Sequence, residues 1–241
     1  LTRVYGTEAP AEEAAVPEGI DMAAIRAVIA ESEDAYLGPH KIQEILDAAG
    51  IPRVKELLAH DEGSLERSAH DTGFPLVMKV LGPVHKSDVG GVALGIDKDT
   101  DLKEHFKRMM QIEGATGVLL QPMLDGIELF VGAKYEPGFG HIILCGLGGI
   151  YVELLQDLAS GLAPLSRQEA GRMIRSLKAY KMLEGMRGQP GINMAILEEI
   201  LVRLSHVLSL NEEIAELDLN PLMGRGDQLH VADSRIRIQK V

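Results

Sequence analysis

Residues 214–238 read IAELDLNPLMGRGDQLHVADSRIRI. Two alternating runs flank the turn GRGD and predict an antiparallel hairpin. Glu216, Asp218 and Asn220 share one strand face, while Leu217 and Leu219 take the other. A four-residue loop at 224–227 places Asp218 directly opposite Asp233. Like charges in that position are destabilising unless a cation joins them. Oxygen ligands from Asp and Asn suit Mg²⁺, which keeps several waters and shares phosphate oxygens. A solvated acidic strand face is the other reading of this pattern. Asn220–Pro221 is expected to end the strand at the same spot.

A second charged stretch sits earlier, in PLVMKVLGPVHKSDVGGV at 75–92. Alternation in LVMKV puts Val77, Lys79 and Leu81 on one face. A lysine among apolar neighbours is seldom fully buried without an anionic partner. Lys79 is therefore either a phosphate ligand projecting from a strand or an edge-strand lysine whose head reaches water. In the loop that follows, Gly90 and Gly91 let backbone N–H groups approach a phosphate closely. His85 is a candidate nucleophile or phosphoryl acceptor, or a solvated bystander. The stretch is not a Walker P-loop, because His85 and not glycine precedes Lys86–Ser87. CGLGGIY at 145–151 lacks the third glycine of the dinucleotide fingerprint.

The 241 residues suffice for one large domain or two intimate subdomains. A net charge of −12 with no basic stripe argues against nucleic acid or an anionic membrane surface as partner. The longest apolar stretch, 142–152, is diluted by glycine and falls short of the ~20 residues that a bilayer needs. The single Cys145 has no partner for an internal disulfide and suits a reducing cytoplasm.

Residues 1–35 read as an extension or linker, rich in Ala, Glu and Pro at first, with a short helix expected at 21–32. Helical spacing follows at 42–49, then a short strand at 52–55, a helix at 64–71 and strands at 76–81 and 92–96. A helix bearing Leu102, Phe106, Met109 and Met110 leads to a strand at 118–121. ELFVGAKYE, HIILCGL and IYVELL read as strands, and helices are expected at 167–184 and 195–208. Helices and strands mix without strict βαβ alternation. The expected class is α+β with two subdomains, 36–125 and 126–241.

LLQPML at 119–124 ends a strand with Pro122, and its backbone could hinge two subdomains and face a flat heterocycle. Glu128 could take a ribose hydroxyl or be an exposed strand carboxylate. The glycines at 146–149 precede Glu153 and Asp157, which read equally well as a solvated face. Cys145 sits among apolar neighbours and is expected to be buried and inert.

In order, GFPLVMKV, HKSDVGGV, LLQPMLDGIEL, FGHIILCGLGGIYVELLQDLA, APLSRQEAGRMI, GMRGQPG, ELDLNPL and VADSRI resemble the ATP-grasp β subunit of ADP-forming acyl-CoA synthetases. The resemblance runs from about residue 40 to 238. It implies the ATP-grasp fold, in which two α+β subdomains hold ATP or ADP, with Mg²⁺. It implies Lys79 on the phosphates, Gln121, Met123 and Leu124 in the adenine hinge, Glu128 beside them, and Asn220 and Asp233 as Mg²⁺ ligands with Asp218 close by. It implies that His85 carries phosphoryl between the nucleotide and a CoA-binding α subunit. Its reaction is acyl-CoA + ADP + phosphate ⇌ carboxylate + CoA + ATP. Three positions depart from the family pattern: Gly161 where a basic residue is usual, Gln156 where Lys is usual, and Asn193 where Asp is common. A non-catalytic ATP-grasp module cut from a larger CoA-binding or acetyltransferase fusion is the alternative expectation.

Overall fold

The computed structural model describes residues 16–82, 89–149, 157–186 and 188–240. Helices α1 (Met22–Ala30) and α2 (Pro39–Ala48) come first, then β1 (Leu57–Ala59), α3 (Glu62–Thr72), β2 (Leu76–Leu81) and β3 (Val92–Ile96). Helix α4 (Asp99–Met109) precedes β4 (Gly117–Pro122), β5 (Ile127–Glu136), β6 (Gly140–Leu147) and β7 (Leu158–Leu162). Helices α5 (Arg167–Ser176) and α6 (Tyr180–Leu183) lead to a small hairpin of β8 (Gly185–Met186) and β9 (Gln189–Pro190). The chain closes with α7 (Met194–Ser209), β10 (Ile214–Arg225), β11 (Gln228–Val231) and β12 (Ser234–Ile238).

Val54–Leu124 form one compact unit. Its four strands are all antiparallel, in the order β1-β4-β2-β3. Leu76, Met78 and Val80 of β2 and Val118 and Leu120 of β4 join Leu65 and Ala69 of α3 and Leu102, Phe106 and Met109 of α4 in one core. These are the even positions of β2 and β4, so the odd ones line the opposite face. Asp61 starts α3 with a capping box, its Oδ1 accepting from Ser64 N at 2.7 Å.

The described residues up to Arg53 and from Asp125 onward form the other unit. Strands β11-β10-β5-β6-β7 make an antiparallel sheet, and β12 also pairs with β10. One face carries Leu129, Val131 and Ala133 of β5 and Leu217 and Leu219 of β10 into a core shared with α1, α2, α5 and α7. Leu197, Ile200, Leu201, Leu204 and Leu208 form the buried stripe of α7, each contributing roughly 1.5–3 kcal/mol by leaving water.

Four expectations change here. Residues 36–53, assigned to the first subdomain from sequence, cluster with the unit that begins at Asp125. Helix α1, placed in a linker, buries Ile25, Val28 and Ile29 in that same core. The helix expected over 167–184 is two helices, because the Asp157 carboxylate takes the backbone N–H groups of Lys178 at 2.9 Å and Ala179 at 2.7 Å. At 52–55 only an isolated bridge of Arg53 to Val231 forms. The strand expected from IYVELL lies outside the described residues.

Candidate active site

Lys79 sits on β2, an interior strand between β4 and β3, and is 6% exposed. The edge-strand reading is thereby excluded. It stands opposite Leu119 of β4, and Val77 stands opposite Gln121. Lys79 and Gln121 are diagonal neighbours on the sheet face that α3 and α4 do not cover. Gln121 is 3% exposed, and its Oε1 has no hydrogen-bond partner among the described residues. A buried amide oxygen of this kind is costly unless something donates to it. Strand β4 ends at Pro122, after which Met123 is exposed and its N–H donates to Pro75 O at 3.1 Å. Leu124 closes this unit. Gly90 takes a φ of +68°, which favours glycine, while the Gly91 carbonyl accepts from Val80 N at 2.8 Å. His85 lies outside the described residues, as do Glu153 and Gln156.

In the other unit the register differs from the sequence expectation. Arg225 pairs with Gln228 across a two-residue turn of Gly226 and Asp227, with Gly226 at φ +56°. The shorter loop moves the register by two residues, so each side chain keeps its face. Asp218 therefore stands opposite Arg235, not Asp233. Asp233 comes opposite Asn220, whose N–H donates to its carbonyl at 3.0 Å. The like-charge argument for a metal falls, because a cation faces Asp218. Burial pushes the Asp218 carboxyl up, Arg235 opposes that, and Glu216 adds to it.

Nor does Asn220–Pro221 end the strand. β10 continues to Arg225, and its pairing with β5 shifts register between Leu219 and Leu222. Two β10 residues there lack β5 partners, whereas β5 advances by only Phe130. Because of this bulge, Asp218 before it and Met223 after it share the face of Gly132, Phe130 and Glu128. Such bulges re-aim side chains next to active sites. Gly132, opposite Asp218, leaves room that a Cβ would close, at 2.5 Å from Phe130 Cζ and 3.2 Å from Asp218 Oδ1. Glu216 is already committed, accepting from Tyr36 OH at 3.1 Å and lying 3.2 Å from Arg237 Nη1.

Glu128 is exposed, and its carboxylate lies where a Cβ on Gly149 would have to sit. Its carbonyl accepts from Gly148 N at 2.8 Å, so the glycine turn runs against β5. Asp157 is not part of a solvated face. It is buried and holds the start of α6, as described above. Cys145 is fully buried, and desolvation pushes its thiol up to about 12. Two departures from the family pattern have structural settings. A Cβ on Gly161 would meet Met173 Sδ at 2.6 Å and Leu165 Cδ2 at 2.7 Å. Asn193 caps α7, accepting from Ala195 N at 2.9 Å, and its Nδ2 donates to Asp227 Oδ1 at 2.7 Å.

Sequence reasoning missed Arg235 as the neighbour of Asp218. The signal was present in VADSRI, but the assumed loop length hid it. It also missed His230 on β11, opposite Met223, with a buried Nδ1 that lacks a partner among the described residues. Among the described residues no group of three or more His, Cys, Asp and Glu side chains could hold a metal. Asp218, Asn220 and Asp233 remain a hard-oxygen donor set that includes an amide, and its chemistry fits Mg²⁺.

Residues 28–238 match the sequence pattern of the ATP-grasp domain. This chain belongs to the ATP-grasp family. The β subunit of ADP-forming acetate–CoA ligase I from Pyrococcus furiosus is 35% identical to this ATP-grasp domain over 217 residues, covering 86% of this chain and 94% of that one. The ADP-forming 4-hydroxybutyrate–CoA ligase of Nitrosopumilus maritimus is 41% identical over 206 residues. The match takes in 80% of this chain but 30% of that protein, so the ATP-grasp domain spans about three-tenths of such longer relatives. A solved structure of the Ca. Korarchaeum cryptofilum dinucleotide-forming acetyl-coenzyme A synthetase 1 superposes with a TM-score of 0.77 at 32% identity, covering 91% of this chain and 100% of that one. That protein is in complex with coenzyme A and Mg-AMPPCP, its phosphohistidine segment pointing towards the nucleotide-binding site. No helix among the described residues is long and apolar enough to cross a membrane.

Proposed function

We propose that this chain is the nucleotide-binding, phosphoryl-transferring part of an ADP-forming acyl-CoA synthetase. The observation that carries the reading is Lys79, a buried lysine on an interior strand that shares its sheet face with Gln121. A cation held in that setting is useful against a polyphosphate. The likeness to acetate–CoA ligase β subunits supports the same reading.

In this account Lys79 neutralises phosphate oxygens, and Gln121, Met123 and Leu124 meet the adenine. Glu128 takes a ribose hydroxyl. Asp218, Asn220 and Asp233 hold Mg²⁺, which when bound supplies further charge neutralisation on the phosphate oxygens. A ring nitrogen of His85 attacks the γ-phosphorus of ATP, the P–O bond to ADP breaks, and a P–N bond forms. In the direction of ATP synthesis the β-phosphate oxygen of ADP attacks the phosphohistidine and the P–N bond breaks. Positioning and electrostatics carry such transfers, because little covalent work falls to the protein. The other half of the reaction, acyl-CoA + phosphate ⇌ carboxylate + CoA with phosphoryl delivered to His85, belongs to a CoA-binding α partner.

The test is reconstitution with a CoA-binding α partner, following thioester formation with ATP, CoA and a panel of carboxylic acids. Thioester that depends on both chains and on ATP is expected. Nucleotide that binds without thioester formation from any acid would favour a non-catalytic module instead.

A further inference from the structure

The last residue of β10, Arg225, reaches in two directions. Its Nη1 donates to Gln189 Oε1 of β9 at 2.6 Å, and its Nη2 lies 3.3 Å from Asp125 Oδ2. Asp125 directly follows Leu124, and the chain passes from one compact unit to the other at that peptide. The next residue, Gly126, has a φ of +136° and lies so close to Gly224 that a Cβ would strike the Gly224 carbonyl. Two successive residues after Leu124 are thus held on the end of one strand.

Stability alone does not account for Arg225. Its Nε is one of three side-chain polar atoms buried without a partner among the described residues. An unmet buried donor offsets most of what the hydrogen bond to Gln189 and an ion pair to Asp125, whose side chain is 89% exposed, return. Arrangements that break a local rule without a gain in stability are expected where function needs them. What Arg225 does is tie Asp125 to Gln189 of the β8–β9 hairpin.

We propose that Arg225 is a positioning residue for the nucleotide-binding segment, anchoring Asp125 so that Met123 and Leu124 are presented in one conformation. The proposal rests on the hinge role given to those residues under Proposed function. An exposed ion pair of this kind limits the effect to about threefold to fivefold in nucleotide affinity.

The experiment compares the full chain with Arg225→Met, Arg225→Lys, Asp125→Asn and the Arg225→Met/Asp125→Asn double variant. It reads amide hydrogen exchange over residues 123–126, melting temperature, Mg-ATP affinity and the saturating rate of phosphoryl transfer. Arg225→Met should raise exchange at 123–126 and weaken Mg-ATP binding about threefold to fivefold, with the saturating rate and the melting temperature held or the latter raised. Asp125→Asn should do the same, the double variant no more than either, and Arg225→Lys should recover part of the loss. Unchanged exchange in Arg225→Met overturns the proposal, as does a lower melting temperature with unchanged affinity. Wild-type chain that binds no Mg-ATP while exchange still responds would sink the proposed function and leave the anchoring of Asp125 standing.

Discussion

Asp218 and Arg235 face each other across β10 and β12. The carboxyl is pushed up by its burial and held back by the guanidinium, so the strand keeps a charge that the fold does not favour. Asn has the same shape without that charge. Asp218→Asn should leave the melting temperature unchanged or higher while Mg²⁺-dependent phosphoryl transfer falls about 100-fold. Thermal melts and a labelled-nucleotide assay check the two halves separately.

Lys79, in the other unit, is buried on an interior strand. Lys79→Met keeps the length and volume of the stem and removes the buried ammonium. The variant should fold, with phosphoryl transfer lowered by about 100-fold or more through lost charge stabilisation. A melt that matches wild type together with wild-type turnover would show that Lys79 has no part in the chemistry.

His141 gives a pH dependence unrelated to the site. Its ring is 2% exposed, Nε2 is 2.7 Å from Ile214 O, and the Tyr135 ring centroid lies 5.2 Å away. Burial holds its pKa below the ordinary value of 6.5. The unfolded chain therefore takes up a proton first as pH falls. The stability is fully present above the unfolded pKa and is lost as pH falls through the folded one. Urea midpoints should drop between pH 7 and pH 5, and His141→Gln should flatten part of that drop.

Asn193 joins α7 to the β10–β11 turn through Asp227. An Asp at 193 keeps the cap but sets two carboxylates together. Asn193→Asp should cost about 1 kcal/mol, and adding Asp227→Asn should recover most of it. Denaturant midpoints of the four members of this cycle measure the coupling.

These residues also show what the sequence could reveal. Strand alternation located the face of Asp218 and the core stripe of α7, since both follow from a local period. The partner of Asp218 depended on loop length, and GRGD is compatible with two loops, so the face was legible and the neighbour was not. The bulge at Asn220–Pro221 shows in the sequence only as a change of parity in the core leucines, from Leu217 and Leu219 to Leu222, and Pro221 between them read more simply as a strand end. The place of α1 depends on which core accepts Ile25 and Ile29, a tertiary fact. Lys79 read ambiguously because an edge strand and an interior strand have the same local sequence.

The central claim is phosphoryl transfer through His85, and γ-labelled ATP with Mg²⁺ tests it directly. Wild-type chain, alone or with the proposed CoA-binding α partner, should acquire acid-labile, base-stable label, and His85→Ala should acquire none. Wild-type chain that stays unlabelled with the α partner present, or equal labelling of His85→Ala, would contradict the account.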